Sequence, residues 1–229
     1  MTIKINYVKN LQFLNKDEWK DMIQYSLRRI ISTEVGSVVI DKCNYFCNKG
    51  FKIEITNYSN SKSIQYPHYY YQGNSNYIVI PDTPYFIEVP VLKNELVKDI
   101  DYIIFSKLIN CQELDSKLDD DICESFSEFK FQPLIVTIFH ELVHCLRRLY
   151  NCDTSQLEEE STIYGIRNKT LKIDNKEITE NQFRKEIKMD PRISHNSKDI
   201  CIYHNGLSNS KYSKSYLKKL FYNNYLESI

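Results

Sequence analysis

The stretch from Pro133 to Tyr150 constrains this chain more than any other; it reads Pro-Leu-Ile-Val-Thr-Ile-Phe-His-Glu-Leu-Val-His-Cys-Leu-Arg-Arg-Leu-Tyr. Pro133 suits a first helical turn, which needs no backbone donor there, and Arg147 and Arg148 stand where the helix dipole favours cations. Between them the segment is nearly all apolar, so it predicts a buried helix. Two histidines and a carboxylate inside such a helix need partners, because burying unpaired polar or charged groups costs several kcal/mol. His140 and His144 are four residues apart and share one face, a turn of rise from each other. Glu141 projects about 100° round the helix from His140. The pattern H-E-x-x-H therefore offers two ligands for one metal ion and a carboxylate placed to take a proton from water on that ion. Core histidines satisfied by ordinary hydrogen bonds are the competing reading. The oily surroundings favour the metal, which relieves the cost of all three groups together.

Zinc in a site of this kind needs a third protein ligand. Glu158, Glu159 and Glu160 follow His144 by about fifteen residues and open a helix-like segment leading to Thr162 and Ile163. Any one of them alone reads as a solvated helix start favoured by the dipole, but one of the three is expected to turn inward. Cys152 is a rival, set in the polar turn Asn151-Cys152-Asp153, and its sulfur would lower the Lewis acidity that hydrolysis needs. Cys145 faces another side of the helix and reads as core.

The rest of the chain sets bounds. Its 229 residues suffice for one domain spanning 1–229, burying about 70% of the unfolded surface. Lys and Arg (30) balance Asp and Glu (30), so no net field draws the chain to nucleic acid or to an anionic membrane. No run approaches the ~18 apolar residues of a membrane span, and the N-terminus lacks a secretory signal. Seven cysteines without paired CxxC clusters read as reduced, mostly buried thiols of a reducing compartment, the cytosol of the producer or of a host. A monomer is the default expectation.

Period 3.6 over Asp17 to Ile31 (Trp19, Met22, Ile23, Leu27, Ile30) predicts an amphipathic helix. A second helix follows Gly36 and ends at Lys49-Gly50, although Val38 to Phe46 could also be read as a strand. Phe51, Ile53 and Ile55 alternate with polar residues as a half-buried strand does. Tyr69 to Tyr71 and Tyr77 to Ile80 predict further strands across the turn Gly73-Asn74-Ser75-Asn76, giving an antiparallel sheet. The strand at Tyr77 to Ile80 is the expected edge for an extended substrate. Pro81 to Pro90 is punctuated by proline, and the acidic stretch Asp115 to Glu128 reads as a solvated helix or loop.

Three motifs in order carry a resemblance: Ile138-Phe139-His140-Glu141-Leu142-Val143-His144; Leu157-Glu158-Glu159 with Thr162; and Ile178-Thr179-Glu180-Asn181-Gln182-Phe183-Arg184-Lys185-Glu186-Ile187 with Arg192. In these the chain resembles the NleD-like effector metallopeptidases, over about residues 133–195; the tail from about 205 to 229 diverges. The resemblance implies an α+β, zincin-like fold in which a small antiparallel or mixed sheet packs on helices that include the H-E-x-x-H helix. It implies one Zn2+ held by His140, His144 and Glu159, with Glu141 as general base. It gives Glu180, Asn181 and Arg184 the task of orienting the metal helix or closing a cleft, where a surface helix capped by Thr179 is the plainer reading.

The implied activity is that of a zinc endopeptidase, an effector cutting host signalling proteins such as MAP kinases. After the arginine here matched by Arg192, the family has a tyrosine suited to stabilising an oxyanion. This chain has His195, which can also donate a hydrogen bond; Tyr203 and His204 are other candidates, each more readily read as an ordinary loop residue. That departure motivates an alternative, a metal-stabilised decoy that binds a host protein without cutting it. Zinc hydrolysis of a non-peptide amide is a third option.

Overall fold

The protein is described from a computed structural model, which covers residues 2–8, 14–59, 66–82, 86–92, 127–152, 157–166, 169–193, 198–201, 203–204 and 207–208. His195, most of the acidic stretch from Asp115 and nearly all of the divergent tail lie outside the described residues.

The first helix, α1 (Lys16–Ile31), starts where Asn15 and Glu18 form a reciprocal capping box, satisfying backbone donors the helix cannot. Trp19, Met22, Ile23, Leu27 and Ile30 face inward, as their period demands, and the indole N–H of Trp19 donates to the Ile80 carbonyl at 2.8 Å. The second helix, α2 (Glu34–Asn48), is capped by Thr33 and begins before Gly36, not after it. The helical reading of Val38 to Phe46 is the correct one. Gly36 is needed where α2 leaves α1, because a Cβ there would overlap the Ile30 carbonyl.

Four strands form the main sheet in the order β1 (Lys4–Asn6), β2 (Lys52–Thr56), β4 (Ser75–Val79), β3 (His68–Gln72). β3 and β4 make the expected hairpin, tightened to the two residues Gly73 and Asn74, with Ser75 and Asn76 already in the strand. Gly73 takes φ +57°, which a two-residue hairpin turn starting with glycine requires.

The purely antiparallel expectation fails, because β1 pairs parallel to β2 and β2 parallel to β4. The connection after β2 carries the chain to the far edge, so β3 runs back antiparallel and β4 slots between them. Alternating side chains report which face is buried, not the direction of the neighbour. Hence β4, the strand expected to bind substrate, is internal, and β3 and β1 are the edge strands among the described residues.

A second, antiparallel sheet of order β6 (Ser127–Phe131), β5 (Phe86–Leu92), β9 (Lys198–Cys201) joins segments distant in sequence. Small two-stranded ladders join β7 (Lys172–Ile173) to β8 (Lys176–Glu177) and β10 (Tyr203–His204) to β11 (Leu207–Ser208). The helix predicted from Pro133, α3 (Leu134–Leu149), is buried at every residue from Ile135 to Arg147. It packs on α1, α2, β3, β4 and two short helices, α4 (Glu158–Ile163) and α5 (Glu180–Glu186). Phe139 of α3 stacks on Phe183 of α5 with centroids 4.2 Å apart. The architecture is thus α+β, a small mixed sheet packed on helices. Among the described residues, no helix is long and apolar enough to cross a membrane.

Candidate metal centre

The i, i+4 spacing on α3 brings the two imidazoles together, with His140 Nε2 and His144 Nε2 2.9 Å apart. α4 supplies the third group. The Glu159 carboxylate straddles the pair, one oxygen 3.1 Å from His140 Nε2 and the other 3.4 Å from His144 Nε2. The ligand atoms of His140, His144 and Glu159 all lie within 4.8 Å of one another, and the cluster could hold a metal ion.

Each histidine is aimed by a carboxylate on its other nitrogen. His140 Nδ1–H donates to Glu180 at 2.8 Å, and His144 Nδ1–H points at Glu158 at 3.1 Å, with the Thr162 hydroxyl 3.3 Å away. Carboxylates face both ring nitrogens of each histidine; with a cation at the Nε2 side the protons sit on Nδ1, held by Glu180 and Glu158, and both Nε2 lone pairs are left for the cation. Lone pairs and a carboxylate converging in a buried place repel unless a positive charge lies among them. Two facing Nε2–H groups cannot donate to each other. A divalent cation meets all three ligands at once, and carboxylate–histidine pairs of this kind are how proteins orient metal-ligating imidazoles.

Electrostatics tell the same story. Burial opposes charge on His140, but hydrogen bonds to Glu159 and Glu180 outweigh it and push its pKa up to about 10. His144 is raised as well, burial again opposing and Glu158 and Glu159 prevailing. Burial works against the charged forms of Glu159 and Glu180, yet both stay well below the usual carboxylate range. The two imidazoles hold Glu159 down, and Arg184, Arg192 and His140 hold Glu180 down. The surrounding carboxylates thus favour positive charge among the two imidazoles.

The supporting carboxylates are themselves clamped. Arg147, fully buried, donates Nε–H and Nη2–H to the two oxygens of Glu158 at 2.8 and 3.0 Å, and also reaches the carbonyls of Lys169 and Cys152. Glu180 accepts from Arg184 Nε–H at 2.6 Å and Arg192 Nη1–H at 3.2 Å, while Arg184 also donates to Gln132. Asn181 fixes the Arg192 backbone through two hydrogen bonds, and the chain beside it pairs with β5. Thr179 caps α5 as expected, but the plain surface-helix reading fails, since Glu180, Asn181, Phe183 and Arg184 are all buried.

Glu141 stands apart. It is buried, and among the described residues its carboxylate has neither a hydrogen bond nor an ion-pair partner, although the histidine charges reach it. Burial raises its pKa, against the pull of His140 and His144.

The structure brings together His140, Glu141, His144 and Glu159. Of the alternatives weighed from sequence, Glu158 belongs to the Arg147 clamp, Glu160 is no part of the cluster, and the half-buried Cys152 turns its thiol to the Tyr150 carbonyl and meets Arg147 through its backbone. Cys145 is core, and burial keeps its thiol protonated. Arg192 is occupied with Glu180. The roles considered for His195, and for the side chains of Tyr203 and His204, fall outside the described residues. Sequence reasoning missed Arg147, read only as a cation suited to a helix end. Its one signal was its place three residues after His144, on a helix otherwise read as buried.

Compared with known proteins, the chain matches no family model, no curated protein and no solved structure.

Proposed function

We propose that the chain is a zinc endopeptidase of zincin-like architecture. One observation carries the reading. Two histidine Nε2 atoms and a carboxylate converge on one point, and Glu141, buried on the same helix, has no hydrogen-bond or ion-pair partner among the described residues. Two imidazoles and one carboxylate suit zinc, and three protein ligands is the number catalytic zinc sites use, where structural sites use four. When bound, zinc supplies Lewis acidity that lowers the pKa of water toward ~7 and polarises a carbonyl.

The chain's own residues supply the rest. Glu180 and Glu158 hold the imidazoles in the tautomer that presents Nε2. Glu141, raised by burial, takes a proton from the attacking water and returns it to the leaving amine, general acid–base work worth about 10²- to 10⁴-fold. The sheet edge near α3 is β3, which among the described residues pairs only with β4 and offers its outer main-chain groups to an extended peptide. Resemblance to the NleD-like effectors points to host signalling proteins, MAP kinases among them, as substrates. A decoy that only bound would gain nothing from a buried carboxylate at Glu141 that has no partner among the described residues and is costly to keep.

The test is Glu141→Gln beside the natural chain, measuring bound zinc and cleavage of purified MAP kinases and of an unfolded protein. The reading expects stoichiometric zinc in both and cleavage reduced at least 100-fold in the variant. Equal cleavage would remove Glu141 as base, and zinc without cleavage in either would leave the decoy.

A further inference from the structure

The main sheet has two ends, and the metal centre accounts for only one. β3 lies beside α3; at the other end, about three strand spacings or roughly 14 Å away, stands β1, whose outer edge pairs with no strand among the described residues. Between β1 and α1 runs a groove of about 370 Å³ lined by Ile3, Ile5, Gln24, Leu27, Arg28 and Ile31. It is an open groove with an apolar floor, Leu27 and Ile3 being buried, while Ile31 stays 41% exposed at the rim. Gln24 and Arg28, one turn apart on α1, are exposed, and among the described residues neither side chain has a hydrogen bond or ion pair. No lining residue is acidic, and Lys20 extends the same stripe one turn earlier.

We propose that this groove is a docking site for an extended, acidic segment of a partner protein, which adds to β1 as a fifth strand. The chemistry selects that occupant. A strand edge presents backbone donors and acceptors that an added strand satisfies in register. Ile3 and Ile5 turn to one face, so the incoming segment places alternate apolar side chains beside them, over Leu27 and Ile31. The bare guanidinium of Arg28 calls for a carboxylate on that segment, and the Gln24 carboxamide can donate and accept. An acyl chain with a carboxylate head would fill the floor and reach Arg28, but it would leave the edge of β1 unused. The site is independent of the metal centre and does not rest on the proposed proteolysis.

The test uses the full chain with labelled isoleucine methyls and backbone amides. Three probes are titrated by NMR: the peptide acetyl-Thr-Val-Glu-Val-Glu-Val-Thr-amide, its counterpart with lysine for both glutamates, and sodium oleate. The acidic peptide should shift the methyls of Ile3, Ile5 and Ile31 and the amides of Lys4 to Asn6, leaving His140 and His144 unmoved. It should bind about tenfold more tightly than the lysine peptide, as one charge-assisted contact allows. Arg28→Glu, an exposed change whose folding a thermal melt verifies, should reverse that order. Overturning results are no shift at these groups up to millimolar peptide, equal affinity for both peptides, or an unchanged order in Arg28→Glu. Oleate binding that moves the methyls alone and excludes the peptide would make the groove an acyl site and overturn the strand proposal.

Discussion

Residues 14–92 and residues 127–193 bury different kinds of matter. The first region fills its interior mainly with Trp19, Met22, Ile23, Leu27, Val39, Ile53, Ile55 and Ile78; its buried carboxylates, Glu54 and Asp82, are met by Lys52 and by the Tyr7 hydroxyl, and its caps and hairpin are local. The second also buries apolar groups, but threads through them His140, His144, Arg147, Glu180, Asn181, Arg184 and Arg192. Apolar burial is worth about 1.5–3 kcal/mol per side chain, and it degrades gradually when a side chain is trimmed. A buried charge network behaves otherwise, because removing one partner strands the others. A hydrophobic core of the first kind would have folded the second region more safely. The polar network is intelligible as a mount that fixes two imidazoles around a cation.

The sharpest way to break that contrast is to remove the hub. Glu180→Ala leaves Arg184, Arg192 and His140 without their carboxylate and should cost about 3–5 kcal/mol in urea unfolding, whereas Ile55→Val in the first region should cost about 0.5–1.5. Equal costs would mean that the network is not the stress point described. Next come the three glutamates of α4, changed singly to Gln and titrated with zinc against a chromophoric chelator. Loss should exceed about 100-fold for Glu159, the proposed ligand, and lie near 10- to 100-fold for Glu158, which aims His144; Glu160 should stay within about twofold.

The smallest effect is in pH dependence. With zinc chelated, His140 contributes stability that is complete below its ordinary value of 6.5 and lost as pH rises toward its folded value of about 10. Glu159 and Glu180, lowered from 4.5, contribute above that value and lose it on acidification. These groups therefore place the chelated chain's greatest stability between about pH 4.5 and 6.5. Saturating zinc reverses the alkaline trend, because binding displaces those protons and strengthens as pH rises. Melting curves at several pH values, with chelator and with zinc, should cross in this sense.

What could be read in the sequence was whatever is local. Trp19 to Ile30 announces α1 by its period, Ile53 and Ile55 announce β2, and the spacing of His140 and His144 places both ligands on one face. The third ligand was narrowed to a triplet, and its choice needed the motif that joins Glu159 to Thr162. In the structure that spacing turns both residues toward His144.

Pairings between distant segments left no such trace. β1 was not anticipated, the parallel run of β2 with β4 is invisible to alternation, and β5 meets β6 and β9 across long separations. The clamps were hidden for the same reason. Arg147 meets Glu158 across 11 residues, and His140 meets Glu180 across 40, so no short window contains both partners. Glu180, at the start of a helix well capped by Thr179, has the local signature of a surface residue and the surroundings of a buried one.

The most direct measurement is zinc K-edge X-ray absorption on the chain carrying one equivalent of zinc. Convergence of His140, His144 and Glu159 predicts nitrogen and oxygen scatterers at about 2.0–2.1 Å, the outer-shell pattern of two imidazoles, and no sulfur near 2.3 Å. A sulfur shell, a single imidazole, or failure to retain the metal would contradict it.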